Sequence, residues 1–325
     1  MTAPRRIRFA TDLCTFYDPR AWGASGGYAD IGNLFATTDW TEERFWDRVL
    51  TTVAEAGLDG IELTFPPGDF RSLIRAFGSA ENARDAVRAH NLEICAGFLP
   101  TTSASSGIRL EIGNPNHQAE LAELVDEYAA FLATCGASVM VTALPLRTTR
   151  LANAPRIVDL PFAQAVADAL NHLGVITARH GVDLALHPEA FCTLRDARDT
   201  DLFMLLTDPA YVGLCPDTAQ YTVAGSDPVA IARRHQDRLQ LTHWKDAVGP
   251  APRDVEIDDR IFETQIQWFA PVGEGVVDWH AWTRLLNDIR YTGWAVFELD
   301  GAADPLRDLT AIRTWVDASL GHVLR

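Results

Sequence analysis

Short apolar segments and longer amphipathic segments alternate along the whole chain. Eight of the apolar segments are typical of buried parallel strands, because each is a short hydrophobic run bounded by polar or turn-forming residues. These segments are RIRFATDLC, DGIELTF, LEICAGF, SVMVTAL, VDLALHP, YVGLCPD, RLQLTH and GWAVFEL. The segments between them have the composition of helices, and this alternation predicts repeated βαβ units around a parallel sheet.

Several of the intervening segments carry signals for the ends of helices. Thr41 is the expected N-cap and Gly57 the expected stop of the helix TEERFWDRVLTTVAEAG, and Pro161 stands at the first turn of another helix. The helix with Pro161 is predicted at 161–180, and two others are predicted at 70–90 and 117–135. The segments ARDTDLFMLL, DPVAIARR and DPLRDLTAIRTWVDASL are also predicted to be helical, and one more helix is expected to begin near residue 278.

Eight strand–helix pairs without a low-complexity linker predict an α/β fold, a single (β/α)8 TIM barrel that covers residues 1–325. Two loops, at 15–39 and 245–274, are longer than usual connections. Both follow strands, so both are expected on the catalytic face, either as active-site loops that cover the site or as surface decoration. The aromatic residues Trp22 and Tyr28 of the first loop, and Trp40 directly after it, are interpreted as packing residues, with the cover of a sugar ring or an aromatic aglycone as the alternative.

Four of the predicted strands end in a side chain that can bind a divalent cation. These residues are Glu189, Asp217, His243 and Glu298. Because the C-terminal ends of barrel strands converge on one face, the four side chains are expected to surround a single ion. Three carboxylates and one imidazole suit Mn²⁺ as the first choice, with Mg²⁺, Co²⁺ or Zn²⁺ as alternatives.

Composition narrows the range of functions. The formal net charge is −16, with 28 Lys and Arg against 44 Asp and Glu, which argues against nucleic acid as a partner. The sequence contains no run of about 18 apolar residues and no signal-peptide pattern, so no membrane association is expected. The five cysteines are widely spaced and form no CxxC motif, which predicts reduced thiols in a cytoplasmic protein.

The strand-end motifs also occur together in a known family. HPE ends at Glu189, PDT contains Asp217, HWKD begins at His243, and FEL contains Glu298. In this combination, over residues 180–310, the chain resembles the sugar phosphate isomerase/epimerase superfamily of xylose-isomerase-like TIM barrels, and within it the inosose dehydratase branch. The segment DGIEL at 59–63 adds a weaker likeness.

The resemblance implies roles for individual residues. Glu189, Asp217, His243 and Glu298 would hold one divalent metal ion, and the two glutamates would also exchange protons with the substrate. Lys245 would stabilise developing oxyanion charge. His187 would orient Glu189 or contact the substrate, and the alternative is a hydrogen-bonded core histidine.

Three further residues are expected near the substrate. Glu62, at the end of the second strand, would line the site, with a structural glutamate as the alternative. Asp246 would orient His243, or form a structural salt bridge. Gln220 stands where relatives carry histidine, and an amide cannot carry a proton, so mechanisms that need this imidazole are disfavoured. The same departure argues against the related DNA-repair endonucleases.

The leading hypothesis is therefore a metal-dependent lyase that acts on a keto-polyol or keto-sugar. It would abstract a proton next to a carbonyl and eliminate a β-substituent, as from an inosose or a 3-keto-glycoside. The first alternative is a ketose 3-epimerase or aldose–ketose isomerase, and the second is a non-catalytic barrel subunit. Expected partners are a small sugar or cyclitol substrate, with a second copy of the chain or a small partner subunit as further possibilities.

Overall fold

A computed structural model describes residues 7–102, 106–149 and 155–324. In these residues eight parallel strands form one sheet. Arg6, where the first strand was expected to begin, lies outside the described residues. The barrel strands are β1 (Arg8–Asp12), β2 (Gly60–Leu63), β3 (Glu93–Phe98), β4 (Val139–Thr142), β5 (Asp183–Leu186), β6 (Val212–Leu214), β7 (Thr242–Trp244) and β10 (Trp294–Phe297). Their order in the sheet is β6-β5-β4-β3-β2-β1-β10-β7.

The sheet closes between β6 and β7. Parallel bridges join Leu214 to Leu239 and Asp217 to His243. The amide of Gln240 donates to the carbonyl of Leu214 at 3.0 Å, and the amide of His243 donates to the carbonyl of Pro216 at 3.0 Å. The predicted (β/α)8 barrel is confirmed, because the first and last strands of the row are joined side by side.

Helices alternate with the strands around the barrel. Thr41 caps its helix as predicted, since its side chain accepts a hydrogen bond from the amide of Arg44. The helices are α1 (Leu34–Thr37), α2 (Glu42–Glu55), α3 (Phe70–Phe77), α4 (Ala80–Ala89), α5 (Gln118–Cys135), α6 (Leu160–Arg179), α7 (Ala197–Leu206), α8 (Thr218–Val223), α9 (Pro228–Arg234), α10 (Ile261–Thr264), α11 (Trp279–Asp288) and α12 (Pro305–Ser319). Among the described helices, none combines the length and the hydropathy that a membrane span requires.

One helical prediction was wrong, and three short helices were not predicted. The single helix expected at 70–90 is divided into α3 and α4, because Gly78 has a φ of +90° and Ser79 caps the next helix through its contact with the amide of Asn82. The helices α1 and α10 of the long loops were not predicted, and neither was α8. It begins directly after Asp217, whose side chain accepts a hydrogen bond from the amide of Gln220 at 2.6 Å.

The two long loops contain short regular segments. In the loop 245–274, the antiparallel strands β8 (Asp246–Ala247) and β9 (Phe269–Ala270) pair with each other, and α10 lies between them. The first loop contains 3-10 helices at Leu13–Phe16, Pro19–Trp22 and Tyr28–Asn33. Trp22 stacks on Phe45 with ring centroids 4.7 Å apart, which agrees with its interpretation as a packing residue.

The barrel interior is filled by small and branched side chains. Ala10, Cys95, Val141, Ala185 and Val296 belong to one buried cluster contributed by successive strands. Because side chains fill the interior of a barrel of this kind, a ligand is expected to approach from the C-terminal ends of the strands. All five cysteines are buried and free of disulfides, as expected for reduced thiols.

Candidate active site

Four ionisable side chains converge where the strands of the second half of the barrel end. His187 follows β5, Asp217 follows β6, His243 lies in β7, and Glu298 follows β10. Each offers one ligand atom, and these atoms all lie within 4.8 Å of one another. All four residues are buried. We call His187, Asp217, His243 and Glu298 the strand-end cluster.

Glu189 is the one predicted ligand that lies outside the strand-end cluster. Its Oε2 accepts a hydrogen bond from the Nε2 of Gln220 at 2.8 Å, and its Oε1 lies 3.4 Å from the Nδ1 of His187. The structure therefore brings together Asp217, His243 and Glu298 of the predicted ligand set and places His187 with them. The signal for His187 was visible in the sequence, because residues two apart on an extended segment point to the same face.

Several polar atoms of this region have no hydrogen-bond partner among the described residues. They are Nδ1 and Nε2 of His187, Oδ2 of Asp217, Nε2 of His243, and both carboxylate oxygens of Glu62. The Oε2 of Glu62 is 2.7 Å from the Nε2 of His243, but the contact lacks the alignment of a hydrogen bond. Buried atoms of this kind are costly unless they are satisfied, and a divalent cation would satisfy several of them together. The residues present fit such an ion.

Lys245 neutralises part of the negative charge of the site. Its Nζ lies 2.6 Å from the Oε1 of Glu298, 2.7 Å from the Oδ2 of Asp300, and 3.8 Å from the centroid of the Phe269 ring. Burial opposes ionisation of Glu298, but Lys245 and His243 outweigh burial and hold the pKa of Glu298 well below its usual range. The ammonium of Lys245 is therefore directed at two protein carboxylates, and its effect on a substrate would pass through Glu298.

The imidazole of His187 is surrounded by carboxylates. Burial and the neighbouring His243 favour the neutral ring, but Asp217 and Glu189 outweigh them and raise the pKa of His187 to about 10. The surroundings thus attract positive charge strongly. A bound divalent cation would supply that charge and displace the proton, because imidazole binds metals in its neutral form.

Gln220 acts as a bridge within the site. Its Oε1 accepts a hydrogen bond from the amide of Ala190 at 2.9 Å, while its Nε2 donates to Glu189. The side chain is buried and lines the same cavity as Glu189. Its amide therefore fixes the orientation of the Glu189 carboxylate.

The expectation that Asp246 orients His243 or contacts a substrate is wrong. Its carboxylate is completely buried and accepts hydrogen bonds from the amides of Ala247, Gly273 and Val277 and from the Nε1 of Trp279, at 2.7–3.1 Å. Apart from Ala247, which lies in β8, these donors belong to the segment that follows β9 and to α11, so Asp246 anchors this segment. Its local sequence position beside His243 and Lys245 gave no indication of the side-chain direction.

Two acidic residues at the site were missed by the sequence reasoning. Asp12 ends β1, and its Oδ1 accepts a hydrogen bond from the amide of Cys14 at 2.7 Å. Burial, together with the neighbouring Glu62 and Glu298, raises the pKa of Asp12 well above its usual value. Asp300, two residues after Glu298, is the second. Asp12 carried the same signal as the other strand ends, since it closes an apolar run.

A cavity of about 370 Å³ opens next to the strand-end cluster. Its polar lining includes Asp12, Glu189, Glu298 and Asp300, whereas His187, Asp217 and His243 lie behind this surface. Tyr28 from the first long loop and Phe262 from the second also line the cavity. The volume lies within the range of about 300–1,000 Å³ that is usual for small-molecule sites. Glu298 is the residue that belongs to both the cluster and the cavity.

Fold and site together define a (β/α)8 barrel enzyme with a candidate divalent-metal centre at the C-terminal ends of its strands. The chain belongs to the xylose isomerase-like TIM barrel family, whose model matches residues 50–317. Over 282 residues the chain is 26% identical to an inosose dehydratase from Bacillus velezensis, and the match covers 84% of this chain and 88% of that protein. The resemblance inferred from the sequence motifs is thereby confirmed.

Solved structures agree with the fold. L-ribulose 3-epimerase superposes with a TM-score of 0.69 at 14% identity, covering 98% of this chain and 95% of that one. The IOLI protein superposes with a TM-score of 0.67 at 15% identity, covering 96% of this chain and 97% of that one. Its 1.8 Å crystal structure contains a binding zinc atom. These structural likenesses support the barrel assignment.

Proposed function

We propose that the protein is a divalent-metal-dependent lyase that acts on a keto-polyol or keto-sugar. In this proposal a proton is removed from the carbon next to the carbonyl, and a substituent on the following carbon is eliminated. The observation that carries the proposal is the strand-end cluster beside a cavity of substrate size, in which ligand atoms of His187, Asp217 and His243 lack a hydrogen-bond partner among the described residues. The likeness to inosose dehydratase over most of the chain supports elimination as the outcome.

His187, Asp217, His243 and Glu298 would hold the metal ion, with Glu189 at its edge. A divalent cation supplies Lewis acidity that polarises a carbonyl and makes the neighbouring C–H more acidic. The mixed oxygen and nitrogen donor set suits Mn²⁺, and also Co²⁺ and Zn²⁺. Mn²⁺ remains our first choice, because two carboxylates belong to the cluster.

Two carboxylates of the cavity are candidates for the proton transfer. Glu189 is the first, because it lines the cavity and the amide of Gln220 holds its Oε2, which leaves its Oε1, 3.4 Å from the Nδ1 of His187, as the oxygen that would take the proton. Glu298 is the second, because it lines the cavity in its ionised form, while the contact with Lys245 that keeps it ionised also lowers its basicity. The Lys245–Asp300 pair holds Glu298 in one orientation, which favours transfer at a defined position.

A second candidate function follows from the presence of both glutamates at one cavity. If one glutamate removes the proton and the other returns it to the opposite face, the product is an epimer and no group is lost. Ketose 3-epimerisation or aldose–ketose isomerisation would use the same residues. The two reactions differ only in whether reprotonation or departure of the β-substituent occurs first.

Metal analysis combined with NMR in D₂O tests both functions. We expect about one divalent ion per chain and deuterium exchange next to the carbonyl in a panel of inososes, ketohexoses and 3-keto-glycosides. Loss of water or of an aglycone identifies the lyase, whereas deuterium incorporation without mass loss identifies an epimerase or isomerase. Removal of the metal with a chelator should stop the exchange, and re-addition of Mn²⁺ should restore it.

Substitution of His243 by Ala provides the matching variant for this experiment. We expect the variant to lose both bound metal and exchange, because a ligand is removed from the centre of the cluster. His172→Ala, at an exposed position on α6, is the control and should behave as the unaltered protein. A protein that retains no metal and exchanges no proton would instead favour the non-catalytic barrel subunit.

Gln220→Ala tests whether the amide positions Glu189. We expect kcat to fall about tenfold, because a hydrogen bond to a charged carboxylate contributes on the order of 1.5–3 kcal/mol. Bound metal should change little, since Gln220 is not part of the strand-end cluster. Gln164→Ala on the exposed side of α6 serves as the control. An unchanged kcat in the Gln220 variant would contradict the positioning role.

A further inference from the structure

The cavity beside the strand-end cluster has apolar walls above a polar floor. The floor comes from strand ends, where the carboxylates of Asp12 and Glu298 are almost fully buried. The walls come from the last residue of β3 and from segments that follow the strands. They include the six side chains Tyr28, Phe65, Phe98, Leu99, Pro100 and Phe262. We call these six residues the apolar wall.

The apolar wall begins directly at the strand-end cluster. The ring of Phe98 lies 5.5 Å from the ring of His187, centroid to centroid, at an interplanar angle of 74°. Phe65, which follows β2, is 40% exposed although it is a large hydrophobic residue, and it lines the cavity. Exposed apolar surface is costly in water, and a contiguous apolar patch in a cavity is typical of a ligand-binding site.

A polyhydroxylated ring alone does not match this lining. Such a ring can cover one aromatic side chain with its C–H face, but the apolar wall contains four aromatic rings that come from four different segments. The floor provides the polar groups that the hydroxyl groups require, whereas the apolar wall offers only the hydroxyl of Tyr28, with Thr101, Thr102 and Gln265 as the neutral polar residues beside it. The substrate therefore needs a second, apolar part that extends from the floor toward the loops.

The charged residues that line the cavity indicate whether the second part of the substrate is charged or neutral. Among the described residues that line the cavity, Asp12, Glu189, Glu263, Glu298 and Asp300 are acidic, and Arg109 is basic. The guanidinium of Arg109 already lies 5.3 Å from the centroid of the Phe262 ring, in the arrangement of a cation–π contact. A phosphate group would meet mainly carboxylates here. The lining suits a neutral group.

We infer that the substrate carries an uncharged planar apolar group attached to its polyhydroxylated part, and that the apolar wall binds this group. The inference rests on the proposed function, because it takes the polyhydroxylated part to lie on the floor beside the strand-end cluster. The apolar group would lie among the rings of Phe65, Phe98 and Phe262. Offset or edge-to-face contacts between rings add to the burial of apolar area in such a site.

Binding of a matched pair of probes tests this inference. Phenyl β-glucoside and methyl β-glucoside share the sugar and differ in the apolar group. Titration calorimetry should show that the phenyl compound binds about tenfold more tightly or better, because a ring is removed from water against the wall. Equal affinity, or no binding of the phenyl compound, overturns the inference. Tighter binding of glucose 6-phosphate than of the phenyl compound overturns it as well.

Variants of the apolar wall test whether its residues cause the preference for the phenyl compound over the methyl compound. Phe262→Ala should reduce the preference for phenyl over methyl by about tenfold and leave the metal content unchanged. Phe65→Ala, in a different segment, should act in the same direction and serves if the Phe262 variant does not fold. Leu205→Ala, which removes an 80% exposed apolar residue of α7 outside the cavity, is the control. A preference that survives both wall variants contradicts the assignment.

These experiments test the proposed function and the inferred apolar group of the substrate independently. Absence of bound metal and of proton exchange overturns the proposed function, whatever the affinities of the probes. Metal binding and exchange on small ketoses, together with equal affinity for both glucosides, overturns only the inferred apolar group. The probe titrations are repeated after chelation, because the preference between the two glucosides depends on the wall and not on the metal.

Discussion

Replacing Glu298 with glutamine is expected to lower turnover by at least about 10³-fold, the range seen when a positioned acid–base group is removed. Glutamine has nearly the same shape, but it cannot accept a proton and carries no charge. The ammonium of Lys245, 2.6 Å from this carboxylate, would keep only Asp300 as its anionic partner. Turnover is measured by NMR on the substrate that shows the strongest exchange with the unaltered protein.

The metal content of the same sample separates the two roles proposed for Glu298. Lost turnover with retained metal indicates that the carboxylate moves a proton, whereas loss of both indicates that it is needed as a ligand. Glu123→Gln, at an exposed position on α5, makes the same chemical change away from the site and should have no effect. Turnover close to that of the unaltered protein in the Glu298 variant would refute both roles.

Asp246→Ala is expected to lower the free energy of unfolding by about 3 kcal/mol or more, because it leaves several buried donors without an acceptor. Three backbone amides and the indole of Trp279 lose their common partner in this variant. The surroundings leave little room for compensation. A Cβ atom at Gly275 would clash with the Oδ1 of Asp246, so the backbone approaches the carboxylate at a distance that only glycine permits. Urea denaturation measures the effect.

The control for this experiment lies in the same loop. Asp254 is exposed, and its replacement by alanine should change the free energy of unfolding by less than about 0.5 kcal/mol. If Asp246→Ala is as stable as Asp254→Ala, the anchoring role of Asp246 is wrong. Turnover should also fall in the Asp246 variant, because Lys245 is its direct neighbour in the chain.

The sequence was sufficient to predict the barrel and most of the strand-end cluster. Parallel strands buried on both faces leave long apolar runs, and the residue that closes each run is placed by the strand itself. This is why Asp217, His243 and Glu298 meet in the structure as expected. Asp12 follows the same rule and was overlooked because its strand lies far from the other three along the chain.

The directions of individual side chains could not be predicted from their positions at the ends of strands. Glu189 was expected in the cluster, but its carboxylate turns to the amide of Gln220, and His187 lies in the cluster. Asp246 was expected near His243, but the donors that hold it come from residues about 30 positions later in the chain. Such choices depend on hydrogen-bond partners that only the folded chain brings together.

The helical segments contained local stop and capping signals that would have improved the prediction of helix ends. Gly78 followed by Ser79 is a stop signal followed by a capping residue, and it divides α3 from α4. Asp217 is followed by α8, so the same carboxylate serves as a strand-end residue and as a helix cap. A residue with two roles of this kind is difficult to recognise, because either role alone explains its presence.

The separation of a strand-derived floor from a loop-derived wall has an evolutionary consequence. Mutations or insertions in the connecting segments can alter which molecules are accepted while the catalytic apparatus is inherited intact. Divergence in this architecture can therefore proceed through exchange of its connections, and a duplicated gene can acquire a new ligand without first losing its reaction.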